Sequence, residues 1–287
     1  MKWRIKATVM FSLILLYLIT ALPVQLFVWG EKLKRRIMFG YMRFYSKLAI
    51  WVLGVDIKVE GQVPTSQSPA SLYVSNHMSY LDILISAAIS PSIYITSVEV
   101  GDSHGLGWIS KLASCIFVER RDRSNVENEI KEVERHFAMG LPVGLCPEGT
   151  STNGQEILKF KRTFFDPAIN TKTPVLPICL RYTKIDGVEF SAENADRVCW
   201  YGKMTFLPHF INLMKVNSIE ATLSFLPYVQ VRPEHDRRSL ADECREVIAA
   251  RYFSKSDAVE DLVRSGYACG VPTNMRSKER QEISPSL

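Results

Sequence analysis

His77 and Asp82, five residues apart in Asn76-His77-Met78-Ser79-Tyr80-Leu81-Asp82, are the residue types from which a general base and its orienting carboxylate are made. On one continuous helix, five residues rotate the chain by roughly 140°, so the two side chains would diverge. His77 is therefore expected in the turn before a helix, with Asp82 in its first turn. Ser79 supports that placement, because Ser79-x-x-Asp82 resembles a capping box with Ser79 as N-cap. The same pattern has a purely structural reading, in which Asp82 caps and His77 is an ordinary turn residue. Spacing alone leaves both open.

The elements that must position this pair follow from hydrophobic patterning. Short apolar runs bounded by turns predict strands at Val55–Glu60, Ala70–Ser75, Ser92–Ser97, Cys115–Glu119, Pro142–Cys146, Pro174–Leu180 and Ile219–Leu226. Helices are predicted at Tyr80–Ile89, Leu106–Ala113 and Ser124–Met139, with another around Arg238–Tyr252. The interleaving implies an α/β domain, a mixed sheet flanked by helices, over residues 59–231. Residues 232–287 are read as a C-terminal helix and a polar tail.

Residues 1–58 differ in character. Ala7–Trp29 is nearly uncharged and long enough to cross a bilayer, with Pro23 as a kink. Glu31–Leu53 mixes Lys and Arg with aromatic residues, as interfacial helices do. Ten basic residues against Glu31 and Asp56 give this segment +8; with the whole chain at +5, residues 59–287 carry −3. The basic character thus points to an anionic membrane surface, with no nucleic-acid partner expected. Six scattered cysteines, with no CxxC pair and no His at metal spacing, imply a reduced, cytosol-facing domain without structural zinc; no metal and no cofactor are expected.

Three more stretches fall at predicted strand ends. Cys115–Arg123 delivers arginines suited to bidentate binding of phosphate or carboxylate. Leu145–Gly154 combines glycines that permit tight turns with the hydroxyls of Thr150, Ser151 and Thr152. Pro174–Leu180 reads as a buried strand shaping an apolar wall. In order and spacing the four stretches resemble the four blocks of the glycerolipid acyltransferase family: Asn76, His77 and Asp82; Phe117, Arg120 and Arg123; Pro147-Glu148-Gly149-Thr150; and Val175-Leu176-Pro177-Ile178.

The resemblance implies transfer of an acyl group from acyl-CoA or acyl-carrier protein to the free hydroxyl of a lysolipid; with the reduced cysteines, the expected location is the cytoplasmic face of the inner or cell membrane. It assigns catalysis to His77 and Asp82, and acceptor binding to Arg120, Arg123, Glu148, Gly149, Thr150 and Ser151, with Arg120 facing a phosphate. One departure stands out. Many lysophosphatidate acyltransferases have Arg where this chain has Ser151, and the Glu-Gly-Thr-Ser form looks like the branch acting on other lysolipids, including lyso-ornithine lipids. Lys159, Lys161, Arg162 or Arg123 could supply the missing cation. The other classes to be separated by assay are a thioesterase and a membrane-anchored lipid-binding protein without turnover.

Overall fold

The apolar runs separated by turns come together as one sheet. The computed structural model describes residues 2–103, 105–119 and 125–254. Its strands are β1 (Val55–Glu60), β2 (Leu72–Ser75), β3 (Ile93–Ser97), β4 (Ile116–Val118), β5 (Val143–Leu145), β6 (Val175–Ile185), β7 (Val188–Glu189) and β8 (Ile219–Phe225). The order is β1-β8-β6-β2-β5-β3-β4, with β7 paired to β6. β6 runs antiparallel to β7 and β8, and the other neighbours are parallel. This is the mixed sheet that the pattern implied.

Around it lie α1 (Trp3–Phe27), α2 (Glu31–Leu53), α3 (Tyr80–Ile89), α4 (Val98–Asp102), α5 (Leu106–Leu112), α6 (Val126–Ala138), α7 (Asp166–Thr171), α8 (Phe206–Leu213) and α9 (Arg237–Phe253). Leu72, Val74, Ile93, Val143, Val175 and Leu176 are fully or almost fully buried along the central strands, as expected of parallel strands covered on both faces. Because β2, β5, β3, β4 and β6 run the same way, their C-terminal ends share one edge of the sheet. Ligand sites of such sheets form there. β6 extends beyond its expected end at Leu180, because β8 pairs it from Ile178↔Phe225 to Ile185↔Ile219. That partner is distant in sequence and invisible to local patterning.

The N-terminal helices pack against the domain over their length. At one end of α1, Lys6 Nζ donates to the Leu53 and Val216 carbonyls at 2.9 and 2.5 Å. Near the other, Gln25 Nε2 donates to the Leu112 carbonyl and Ser114 Oγ at 2.7 and 2.8 Å. Between them Phe11 meets Phe210 of α8 edge-on, and Thr20 Oγ1 hydrogen-bonds Tyr45 Oη of α2. The opposite face leaves Ile5, Leu15, Leu16, Ile19, Leu22 and Leu26 exposed. At the other end of the described residues, buried Arg251 of α9 pairs with Glu60, joining α9 to β1.

Candidate active site

Ser79 adopts an extended conformation and caps α3, its hydroxyl accepting from Leu81 N–H while Asp82 accepts from Ser79 N–H. His77 therefore precedes the helix. Its Nδ1 lies 2.9 Å from Asp82 Oδ2, and the same oxygen accepts from the backbone N–H groups of Met78 and Ser79 at 2.6 and 2.8 Å. Capping and orientation are thus two uses of one carboxylate. Asp82 is almost fully buried, whereas the His77 side chain is 21% exposed, leaving ring surface open to a reactant.

The remaining carboxylate oxygen has a partner that sequence reasoning missed: Tyr182 Oη donates to Asp82 Oδ1 at 2.6 Å. Tyr182 lies on β6, four residues past the fourth block. No local pattern links it to a residue 100 positions earlier. Burial first, and then the Asp82 charge, push the phenol well above its ordinary range, so it stays a donor. Asn76 fixes the turn from the same strand, its side-chain amide exchanging two hydrogen bonds with the Leu180 backbone at 2.8 and 2.9 Å.

Glu148 is buried beneath the turn. Its Oε1 accepts from His77 N–H at 2.8 Å and its Oε2 from Leu158 N–H at 2.9 Å. Burial raises its carboxyl to about 7, against the pull of those two donors and of the His77 ring. The neighbouring loop is tied back by Thr152 N–H donating to the His77 carbonyl at 3.0 Å, and Ser151 spends its hydroxyl on the Trp200 carbonyl. Gly149 has φ +70°, and a Cβ there would meet the Lys161 side chain at 2.5–2.8 Å. Glycine at this position lets Lys161 lie across the turn, with its ammonium beside the third block. Thr150 is exposed. Arg120 and Arg123 lie outside the described residues.

Electrostatics at His77 are governed by opposing effects. Burial disfavours its charge, but the adjacent Cys146 sulfur and the Asp82 carboxylate hold it well above its ordinary value. A base oriented by a buried carboxylate, with a free edge at the mouth of a parallel sheet, can take a proton from a hydroxyl or thiol. Among the described residues no group of His, Cys, Asp and Glu could hold a metal ion. A cavity of about 630 Å³, lined by Lys58, Arg181, Glu189 and Tyr252 among others, reaches Tyr182 but not His77.

The family model described as Acyltransferase matches residues 56–181, the span that holds His77, Asp82 and Glu148. Residues 56–181 are an acyltransferase-family domain. The chain is 26% identical to the lyso-ornithine lipid O-acyltransferase of Rhizobium meliloti (strain 1021), over 85% of its own length and 81% of that protein. It is 28% identical to the 1-acyl-sn-glycerol-3-phosphate acyltransferase of Neisseria gonorrhoeae, over 71% and 78%. The crystal structure of the 1-acyl-sn-glycerophosphate (LPA) acyltransferase PlsC from Thermotoga maritima shares the fold. Its TM-score is 0.58 at 18% identity, covering 90% of this chain and 97% of that one. The acyltransferase domain thus carries His77 in the turn between β2 and α3, Asp82 in the first turn of α3, and its third-block loop after β5.

Proposed function

We propose that the protein transfers a fatty acyl group from an acyl-CoA or acyl-carrier-protein thioester to the free hydroxyl of a lysolipid. The observation that carries this reading is the 2.9 Å contact between His77 Nδ1 and buried Asp82. It fixes the imidazole so that its other nitrogen, once neutral, takes the acceptor's proton. As the hydroxyl oxygen attacks the thioester carbonyl, Asp82 stabilises the imidazolium; the carbonyl re-forms and expels the thiolate, which recovers the proton. His77→Ala is expected to lower the rate of labelled acyl transfer by at least about 10² while the thermal melt is retained. Near-normal turnover would remove the mechanism. Acyl release should depend on lysolipid; equal release without it would indicate hydrolysis.

The acceptor is proposed to carry an anionic group read by a lysine. Ser151 is committed to Trp200, whereas Lys161 is exposed beside the third block with no carboxylate partner among the described residues. Arg120 and Arg123 are proposed to join it. Both lyso-ornithine lipid, whose acyltransferases are among the relatives, and lysophosphatidate satisfy this chemistry. Parallel assays with both acceptors, and with CoA and carrier-protein donors, decide between them.

For the membrane, α1 is long and apolar enough to cross a bilayer. Both its ends are nevertheless tied to the acyltransferase domain, about 28 Å apart along the helix. We propose that it lies in the interface with its exposed apolar face among the acyl chains, holding the site at the cytoplasmic surface where thioester donors are available.

A further inference from the structure

After β5 the chain runs through residues 146–162 without helix or strand, a length that ordinarily goes with either function or disorder. This loop carries Glu148 and Lys161, and its order has a source outside residues 56–181. Arg245 of α9 donates from Nε to the Leu158 carbonyl at 2.9 Å and from Nη2 to the Ile157 carbonyl at 2.6 Å. Tyr252 Oη donates to the Gly154 carbonyl at 2.7 Å. Seven residues separate Arg245 from Tyr252, about two turns, so both lie on one face of α9. Gly154 has φ +78°, and a Cβ there would come within 2.9 Å of Tyr252 Oη and 3.0 Å of Met78 Sδ. Glycine therefore lets the loop pass between α9 and the residue after His77.

At the arginine contact a single peptide unit faces two ways. Its carbonyl, that of Ile157, accepts from Arg245, and its N–H, that of Leu158, donates to Glu148 Oε2 at 2.9 Å. Glu148 Oε1 in turn accepts from His77 N–H at 2.8 Å. Hydrogen bonds in such a chain polarise one another, so a guanidinium on the carbonyl makes the amide a better donor to the carboxylate. Arg245 thus reaches the His77 turn through the 157–158 peptide and Glu148.

We propose that Arg245 and Tyr252 are positioning residues for the acceptor: from α9 they set the loop so that Lys161 stands over Gly149 and Glu148 stays beneath His77. Lys161 follows the Arg245 contact by three residues, so loosening the loop weakens the grip on an anionic acceptor. The acceptor half of the proposal rests on the lysolipid reading; the tether itself does not.

The test compares full-length wild type with Arg245→Met, which keeps the apolar stem without donors, Arg245→Lys, which returns a cation able to serve one carbonyl, and Tyr252→Phe, which removes only the hydroxyl. With palmitoyl-CoA as donor, Arg245→Met should raise KM for lysophosphatidate or lyso-ornithine lipid by about tenfold and leave KM for the thioester within about twofold. Arg245→Lys and Tyr252→Phe should fall between it and wild type. A fall in kcat with both KM values unchanged, as lost folded protein gives, or an equal rise in both, overturns the proposal. Amide hydrogen exchange read by mass spectrometry supplies an arm that needs no turnover. Peptides covering residues 150–161 should exchange at least about fivefold faster in Arg245→Met, while those covering residues 72–75 and 175–180 stay as in wild type. Unchanged exchange in the loop overturns the tether. Faster exchange there, in a protein whose wild type acylates neither lysolipid, would sustain the tether and defeat the lysolipid reading instead.

Discussion

Asp82 accepts from His77 Nδ1, two backbone N–H groups and the Tyr182 hydroxyl, so replacements around it should separate orientation from folding. Asp82→Asn turns an amide NH2 towards donors and removes the charge that stabilises the imidazolium. A loss of about 10²–10⁴ in kcat is expected, with a fall of about 1 kcal/mol in unfolding free energy from the weakened cap. Tyr182→Phe keeps the ring but leaves a buried carboxylate oxygen unpartnered, which costs about 1–3 kcal/mol. Its kcat should fall more than its KM changes, since Tyr182 acts through Asp82. Kinetics and urea unfolding on the same preparations check both.

The charge state of His77 gives a pH prediction. The ring must be neutral to take a proton, and its pKa in the folded protein is held well above 6.5. The acidic limb of kcat/KM should therefore lie above 6.5, with activity rising as pH rises through the folded value. Stability runs the other way. A raised folded pKa stabilises the native state fully below the unfolded pKa, and that contribution is lost as pH rises through the folded one. Removing the Cys146 sulfur should shift the limb towards lower pH.

At the scale of elements, the proposed contact with a membrane rests on α1. Lys6 and Gln25 hold the two ends of one helix to the same domain, so a perpendicular crossing would require both attachments to break. Brominated-lipid quenching of single tryptophans placed at Ile5, Leu16 and Leu26 should show similar shallow depths; a deep central position flanked by shallow ends would establish a spanning helix. The helix was visible in the sequence as an apolar run. Its orientation was not, because that depends on contacts made more than 200 residues away at Val216.

At the scale of the whole molecule, loops distant in the chain meet at one edge of the sheet. Lys161 reaches that edge because Gly149 has no side chain and the Lys161 backbone N–H is held by the Pro147 carbonyl at 2.7 Å. Lys161→Ala should raise KM for an anionic acceptor by about tenfold, roughly 1.4 kcal/mol of a charge-assisted contact, and affect an uncharged acceptor little. Initial rates across the acceptor panel check this.

By itself, the amino-acid sequence determined what is local. Ser79 and Asp82 cap the helix because their spacing matches its first turn, and the same spacing places His77 before it. The order of apolar runs specified a mixed α/β sheet, and the long apolar run at the N-terminus specified a helix. Only the tertiary structure decided the partners brought by non-local pairing: Tyr182 on the second oxygen of Asp82, Glu148 beneath His77, Cys146 beside it, and Ser151 tied to Trp200. Each of these follows from strand register or loop packing, where hydrogen-bond geometry and burial select neighbours that no spacing along the chain encodes.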